Sequence, residues 1–147
     1  MPDTLMLEVV TPEREVTRES VAEVQIPGRS GYLGILPGHT PLLSELGIGA
    51  LRYQKGGQTV YIAILGGMAE VLPDRVTVLA DAAERAEEID VQQARTALAE
   101  AEKKVASSGA DPSTDWDAVL QSLARARVRL EVAEHKGAAA SGSGAHR

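Results

Sequence analysis

The run from Ile26 to Leu51, IPGRSGYLGILPGHTPLLSELGIGAL, decides how this chain is read. Short β-type pieces alternate in it with glycine at 28, 31, 34 and 38 and proline at 27, 37 and 41. Proline holds φ at about −65° and withholds a donor from a central ladder, whereas glycine reaches backbone conformations closed to other residues. A segment so punctuated corners repeatedly and reads as the rim of a β-structure that presents a docking surface.

Outward from this run, period-two alternation covers LMLEVV at 5–10, VAEVQI at 21–26, ALRYQ at 50–54, TVYIAIL at 59–65, AEVLP at 69–73 and RVTVLA at 75–80. The pairs Thr11-Pro12, Pro27-Gly28, Gly56-Gly57, Gly66-Gly67 and Pro73-Asp74 each supply a chain reversal. Frequent turns between short strands predict an antiparallel β-sandwich or flattened barrel over residues 1–82.

Near Asp81 the composition shifts to Ala, Glu, Gln, Arg and Lys, all strong helix formers. Asp90 is placed to cap a helix, with Gln93 three positions on as the second half of a capping box. Val91, Ala94, Leu98, Ala101 and Val105 recur at spacings of three and four. Gly109 and Pro112 break this helix, Thr114 or Asp115 caps the next, and Trp116, Val119, Leu123, Ala126, Leu130 and Ala133 repeat the seam. The reading is α+β: an N-terminal antiparallel β-sandwich followed by a C-terminal antiparallel α-helical hairpin at 83–136, with a Gly, Ser and Ala tail at 137–147 expected to be disordered. The hairpin is poor in large apolar side chains, so it needs a partner surface and is able to change partners.

Composition removes several classes of function. With no cysteine, thiol nucleophiles, disulfides and cysteine-rich zinc sites are excluded. A net charge of −6 argues against a general nucleic-acid binder, and the scarcity of aromatics, with no phenylalanine, leaves no stacking platform. No apolar run approaches the roughly 20 residues that cross a bilayer, so any membrane association is expected to be indirect.

Candidate chemistry is thin. Gly56-Gly57-Gln58 matches a peptidyl-tRNA hydrolysis tripeptide but sits where a hairpin turn is expected. His39 is the one histidine within the predicted sandwich and has no ligand-type neighbours, which leaves no metal site; Ser44 beside it lacks a nucleophile elbow. Arg125 and Arg129 share a helix face, whereas Arg127 points away; the trio reads either as a solvated face balanced by Glu131 and Glu134 or as a grip on phosphates or an acidic partner.

The order LEVVTPE at 7–13, GYLGILPGHTPLLSELGIGALR at 31–52, GGMAEVLPDRVTVLAD at 66–81 and RLEVAE at 129–134 resembles the ε subunit of bacterial F-type ATP synthases over residues 3–136. The resemblance implies a non-catalytic rotor subunit of the central stalk, at the cytoplasmic face of the bacterial membrane, that couples ring rotation to ATP synthesis. Its sandwich would pack on the γ subunit, and Gly28, Arg29, Ser30, Gly31 and Tyr32, with His39 nearby, would face the c-ring. Extended, its hairpin would reach the α and β subunits, where Arg125, Arg127 and Arg129 would oppose ATP hydrolysis. No cofactor is implied as required; ATP is implied as a weak regulatory ligand of Glu84, Ile89, Asp90, Gln93, Ala94, Arg125 and Arg129, with Gln93 standing where nucleotide-binding members carry arginine. Two other readings compete: a small ATP-sensing adaptor of the same architecture, and a hydrolase built on His39 and Ser44.

Overall fold

The chain was analysed as a computed structural model that describes the backbone of residues 3–145 and the side-chain surroundings of residues 3–135. Strands β1 (Leu5–Val10), β2 (Glu15–Val21), β3 (Glu23–Gly28), β4 (Gly31–Ile35), β5 (Leu42–Lys55), β6 (Gln58–Leu72), β7 (Arg75–Ala80) and β8 (Ala83–Arg85) are followed by a 3₁₀ turn, Ala86–Glu88, and helices α1 (Val91–Ser107) and α2 (Trp116–Ala145). The strands run in the order β2-β1-β7-β6-β5-β3-β4, with β8 added beside β6.

Two long strands make the sandwich from one ladder. β5 and β6 pair from Leu42↔Val71 to Lys55↔Gln58, and they bend near Gly67. Beyond the bend, Gly67–Leu72 of β6 pairs with β7; before it, Ile62–Ile64 pairs with β8. The same strand therefore serves both layers. At the bend Gly67 has φ 132°, and an added Cβ would lie 2.2 Å from the Leu79 carbonyl oxygen. Only glycine tolerates both constraints.

The alternation read from sequence sets the inner faces. Leu7 and Val9 of β1, Ile62 and Ile64 of β6, and Val76 and Val78 of β7 are all fully buried between the layers. Tyr53 reaches the same core, and its hydroxyl donates to Glu19 Oε2.

Several expectations change. Gly66-Gly67 does not reverse the chain; it lies inside the continuous β6, so two expected strands are one. Pro27-Gly28 likewise ends β3 rather than forming the turn. Except for Val21, β2 lies outside the alternating runs, because Thr17 and Glu19 put polar side chains on the face that Val21 turns toward the core. The sheet is also not wholly antiparallel: β1 pairs in parallel with β7, Met6↔Arg75 to Val10↔Leu79. β8 carries the sheet past residue 82 to Arg85. The tail expected at 137–147 lies outside the residues described with their side chains, and the backbone of α2 is traced to Ala145.

The caps follow the sequence logic. Asp90 Oδ1 accepts the Gln93 backbone N–H at 3.0 Å, and Asp115 Oδ1 accepts that of Ala118 at 3.2 Å. Thr114 instead donates its hydroxyl to the Ser108 carbonyl at 3.1 Å.

A polar seam ties β2 to β5. Glu19 accepts from Lys55 Nζ at 2.8 Å and from Tyr53, and these bonds, Lys55 first, hold its carboxyl below the usual range. A carboxylate lowered in the folded state adds stability above its unfolded range, and that stability is lost as pH falls through the folded value. Glu19→Gln should therefore destabilise the chain by about 0.5–1 kcal/mol at neutral pH, a modest value because the site is partly solvated. Urea unfolding should show the difference from the unaltered chain closing as the pH is lowered through the carboxylate range.

Candidate functional site

The Gly- and Pro-rich run forms one rim of the sandwich. β3 and β4 turn back at Arg29-Ser30, with Gly28 opposite Gly31. Gly28 to Leu33 and Leu43 to Glu45 line an open cleft of about 380 Å³. Arg29 is not a free cation: its guanidinium pairs with the Glu45 carboxylate, and its backbone N–H donates to the Glu45 carbonyl at 2.9 Å. Tyr32 is half exposed, and its hydroxyl accepts the Ala50 N–H at 3.2 Å. The tyrosine reaches this position because Gly49 has no side chain; a Cβ there would lie 2.8 Å from the Tyr32 hydroxyl.

His39 stands apart from that cleft. Its Nδ1 lies 2.7 Å from the Thr40 carbonyl, and the turn that carries it is tied to the β6–β7 turn by Gly38 N–H donating to Pro73 O at 2.7 Å. Ser44 Oγ donates to the Glu45 carbonyl at 3.2 Å. The two side chains share no hydrogen bond, so the nucleophile and base of a hydrolase are not assembled. Gly56 and Gly57, with φ of 58° and 79°, form the β5–β6 turn. Among the described residues no group of three His, Asp or Glu side chains is placed to hold a metal.

An apolar strip on the outer surface escaped sequence reasoning. Leu43, Met68 and Leu79 are exposed, Leu43 to 71%, and Met68 lies directly opposite Leu79 across the β6–β7 ladder. The available signal was apolar residues in the wrong phase of the alternation, as in RVTVLA, where Val76 and Val78 are buried and Leu79 is not.

The hairpin folds back on the other layer. Val128, Val132 and Ala133 of α2, with Ala86, Ile89 and Ala94, form a second apolar cluster against Ala50 and Ala63. Ala50 and Ala63 are partners across the β5–β6 ladder, and their small side chains let the helix lie close to the sheet. Of the residues implied in nucleotide binding, Ile89 and Ala94 are buried in this cluster, Asp90 caps α1 and Gln93 is exposed. Glu84 and Arg129 meet directly, Arg129 Nε donating to Oε1 at 2.6 Å and Nη2 to Oε2 at 3.2 Å. Arg125 joins Arg129, Glu100 and Lys104 along a groove of about 340 Å³ between the helices. Ile89, Asp90, Gln93 and Ala94 do not line it. Arg125 and Arg127 are exposed.

Residues 4–86 match the family described as ATP synthase, Delta/Epsilon chain, beta-sandwich domain, and residues 87–134 match its long alpha-helix domain. An ATP synthase epsilon chain of Solibacter usitatus (strain Ellin6076) is 53% identical over 138 residues, covering 92% of this chain and 100% of the relative. That of Syntrophobacter fumaroxidans (strain DSM 10017 / MPOB) is 46% identical over 134 residues, covering 91% and 98%. A chain in the OSCP/F1/c-ring structure of the Euglena gracilis mitochondrial ATP synthase superposes with a TM-score of 0.67 at 28% identity, covering 95% of this chain and 83% of that one. One in the central stalk/c-ring of the Tetrahymena thermophila enzyme shares the fold alone, with a TM-score of 0.54 at 13% identity and coverage of 88% and 96%. With both of its parts matched in order and epsilon chains aligned along nearly its whole length, this chain belongs to the ATP synthase delta/epsilon family, as an epsilon chain and thus a non-catalytic subunit of that complex.

Proposed function

We propose that this chain is a central-stalk rotor component whose sandwich docks on the γ subunit and c-ring and whose hairpin is a releasable brake on ATP hydrolysis. The observation that carries the reading is the separation of the two apolar clusters. The sandwich core is complete without α1 and α2, and the hairpin sits on Ala50 and Ala63 through a small cluster of its own. An element attached in this way can leave without unfolding its support. The rim at Gly28–Tyr32 and the exposed strip of Leu43, Met68 and Leu79 supply docking surface that the hairpin leaves uncovered. Once released, Arg125 and Arg127 join Arg129 as cations for an acidic loop of the β subunit. ATP acts as a weak regulatory ligand at most, because Glu84 already neutralises Arg129 and Gln93 brings no charge.

Among the described residues no helix is long and apolar enough to cross a membrane; the chain would reach the cytoplasmic face of the bacterial membrane through the complex.

The test is ATP hydrolysis by the matching α, β and γ assembly, supplied with the full chain or with one ending at Arg85. Both should bind, and only the full chain should slow turnover, by several-fold. Reversing the charge at Arg125, Arg127 and Arg129 together should remove the inhibition. If neither form binds, the rotor reading fails; equal effects of the two forms would reject the brake.

A further inference from the structure

We infer that the hairpin of this chain is latched to the sandwich by its own side chains at two points flanking Val132, the Glu84–Arg129 fork and the Tyr61–His135 stack, so that it stays seated with no nucleotide bound. The latch rests on contacts in this structure; its regulatory meaning rests on the brake reading above.

The apolar seat cannot do this alone. Ala50 and Ala63 present small side chains to Val128, Val132 and Ala133, with Ile48 and Tyr61 packed at the margin; such contact is non-directional and sets the rotation and sliding of α2 only loosely. The two polar contacts are directional. Arg129 and His135 each lie three positions from Val132, so they project about 60° to either side of it. On one side, the guanidinium engages both carboxylate oxygens of Glu84, with the two side chains only 23% and 30% exposed. On the other, the His135 and Tyr61 rings stack with centroids 3.6 Å apart and planes within 6°.

The anchor points bracket the seat as well. Glu84 of β8 pairs with Ala63, and Tyr61 lies two residues before Ala63 on the same face of β6. Rolling α2 in either direction therefore breaks one of the two contacts. Nor does the seated state leave Arg129 waiting for an anion, since a carboxylate already fills that role.

The absence of cysteine allows a clean distance measurement. Spin labels at Glu23→Cys on the sandwich and Ala110→Cys at the hairpin tip, both exposed positions, report seating in the nucleotide-free chain. The otherwise unaltered protein should show a single narrow distance distribution. Glu84→Gln and His135→Ala should each raise the released fraction by about three- to tenfold. The swap Glu84→Arg with Arg129→Glu should restore seating, which a general loss of packing would not do. An unchanged distribution in both single variants, or a parent chain that seats only after ATP is added, overturns the latch. If variants that release the hairpin leave the ATPase of the assembly untouched, the latch stands and the brake reading falls.

Discussion

Gly67→Ala should cost the sandwich at least about 3 kcal/mol, a large share of the roughly 5–15 kcal/mol that holds a domain of this size together. Two costs coincide at this residue. Its φ of 132° is a conformation that residues with a side chain rarely adopt. A methyl group there would also stand 2.2 Å from the Leu79 carbonyl oxygen and 2.8 Å from the Ala80 Cα, both backbone atoms of the paired strand β7. Neither atom can move away as a flexible side chain would, because β7 is held between β6 and β1. Gly34→Ala is the matched control: a Cβ there meets nothing within 4 Å, so the change should be neutral or slightly stabilising. Urea unfolding followed by circular dichroism separates the two. A Gly67→Ala protein within about 1 kcal/mol of the parent would mean that the bend relaxes, contrary to the close approach seen here.

Ala63→Leu should dislodge the hairpin while leaving the sandwich folded. Ala63 is fully buried, but its contacts are with the α2 cluster rather than with the core between the layers. A leucine adds three carbons where the helix lies against the sheet, and overpacking of this kind typically costs 1–3 kcal/mol. That is roughly a five- to 150-fold shift in the balance between seated and released. Tryptic cleavage at the exposed Lys103, Lys104, Arg125 and Arg127 should accelerate accordingly, with the unfolding transition of the sandwich unmoved. Loss of both together would show that hairpin and sandwich share one cooperative core. In the assembly, the same substitution should strengthen inhibition if release is the step that sets the brake.

Sequence patterning was most informative where burial is one-sided. β1 and β7 match the expected runs 5–10 and 75–80 residue for residue, because each alternates cleanly between core and outer face. Reasoning failed where one strand serves two layers. Gly66-Gly67 carries the chemistry of a turn, yet the backbone passes through it with an altered direction instead of reversing, and only the pairing of Gly67 with Ala80 on one side and Leu46 on the other reveals this. The helical seam at Val119, Leu123 and Ala126 was legible as the face toward α1. Val128 and Val132 were not, because they form a second stripe that has meaning only once the sandwich lies beneath it. The arginines were legible as a cluster of like charge. That Arg129 is paired to Glu84, forty-five positions away, follows from tertiary contact alone.

The parallel pairing of β1 with β7 has a consequence for the order of events during synthesis. Leu5–Val10 precedes its neighbour on that side, Arg75–Ala80, by seventy positions, so the emerging chain has to hold an unpaired strand edge until β7 has been translated. Contacts so distant along the chain form late and slowly, and an exposed apolar strand invites pairing with the wrong partner in the interval. α1 and α2 follow every strand in the chain, so all the parts of their platform are synthesised ahead of them. Among the described elements the hairpin is thus the last to reach its seat, because every strand that builds the seat precedes it in the chain.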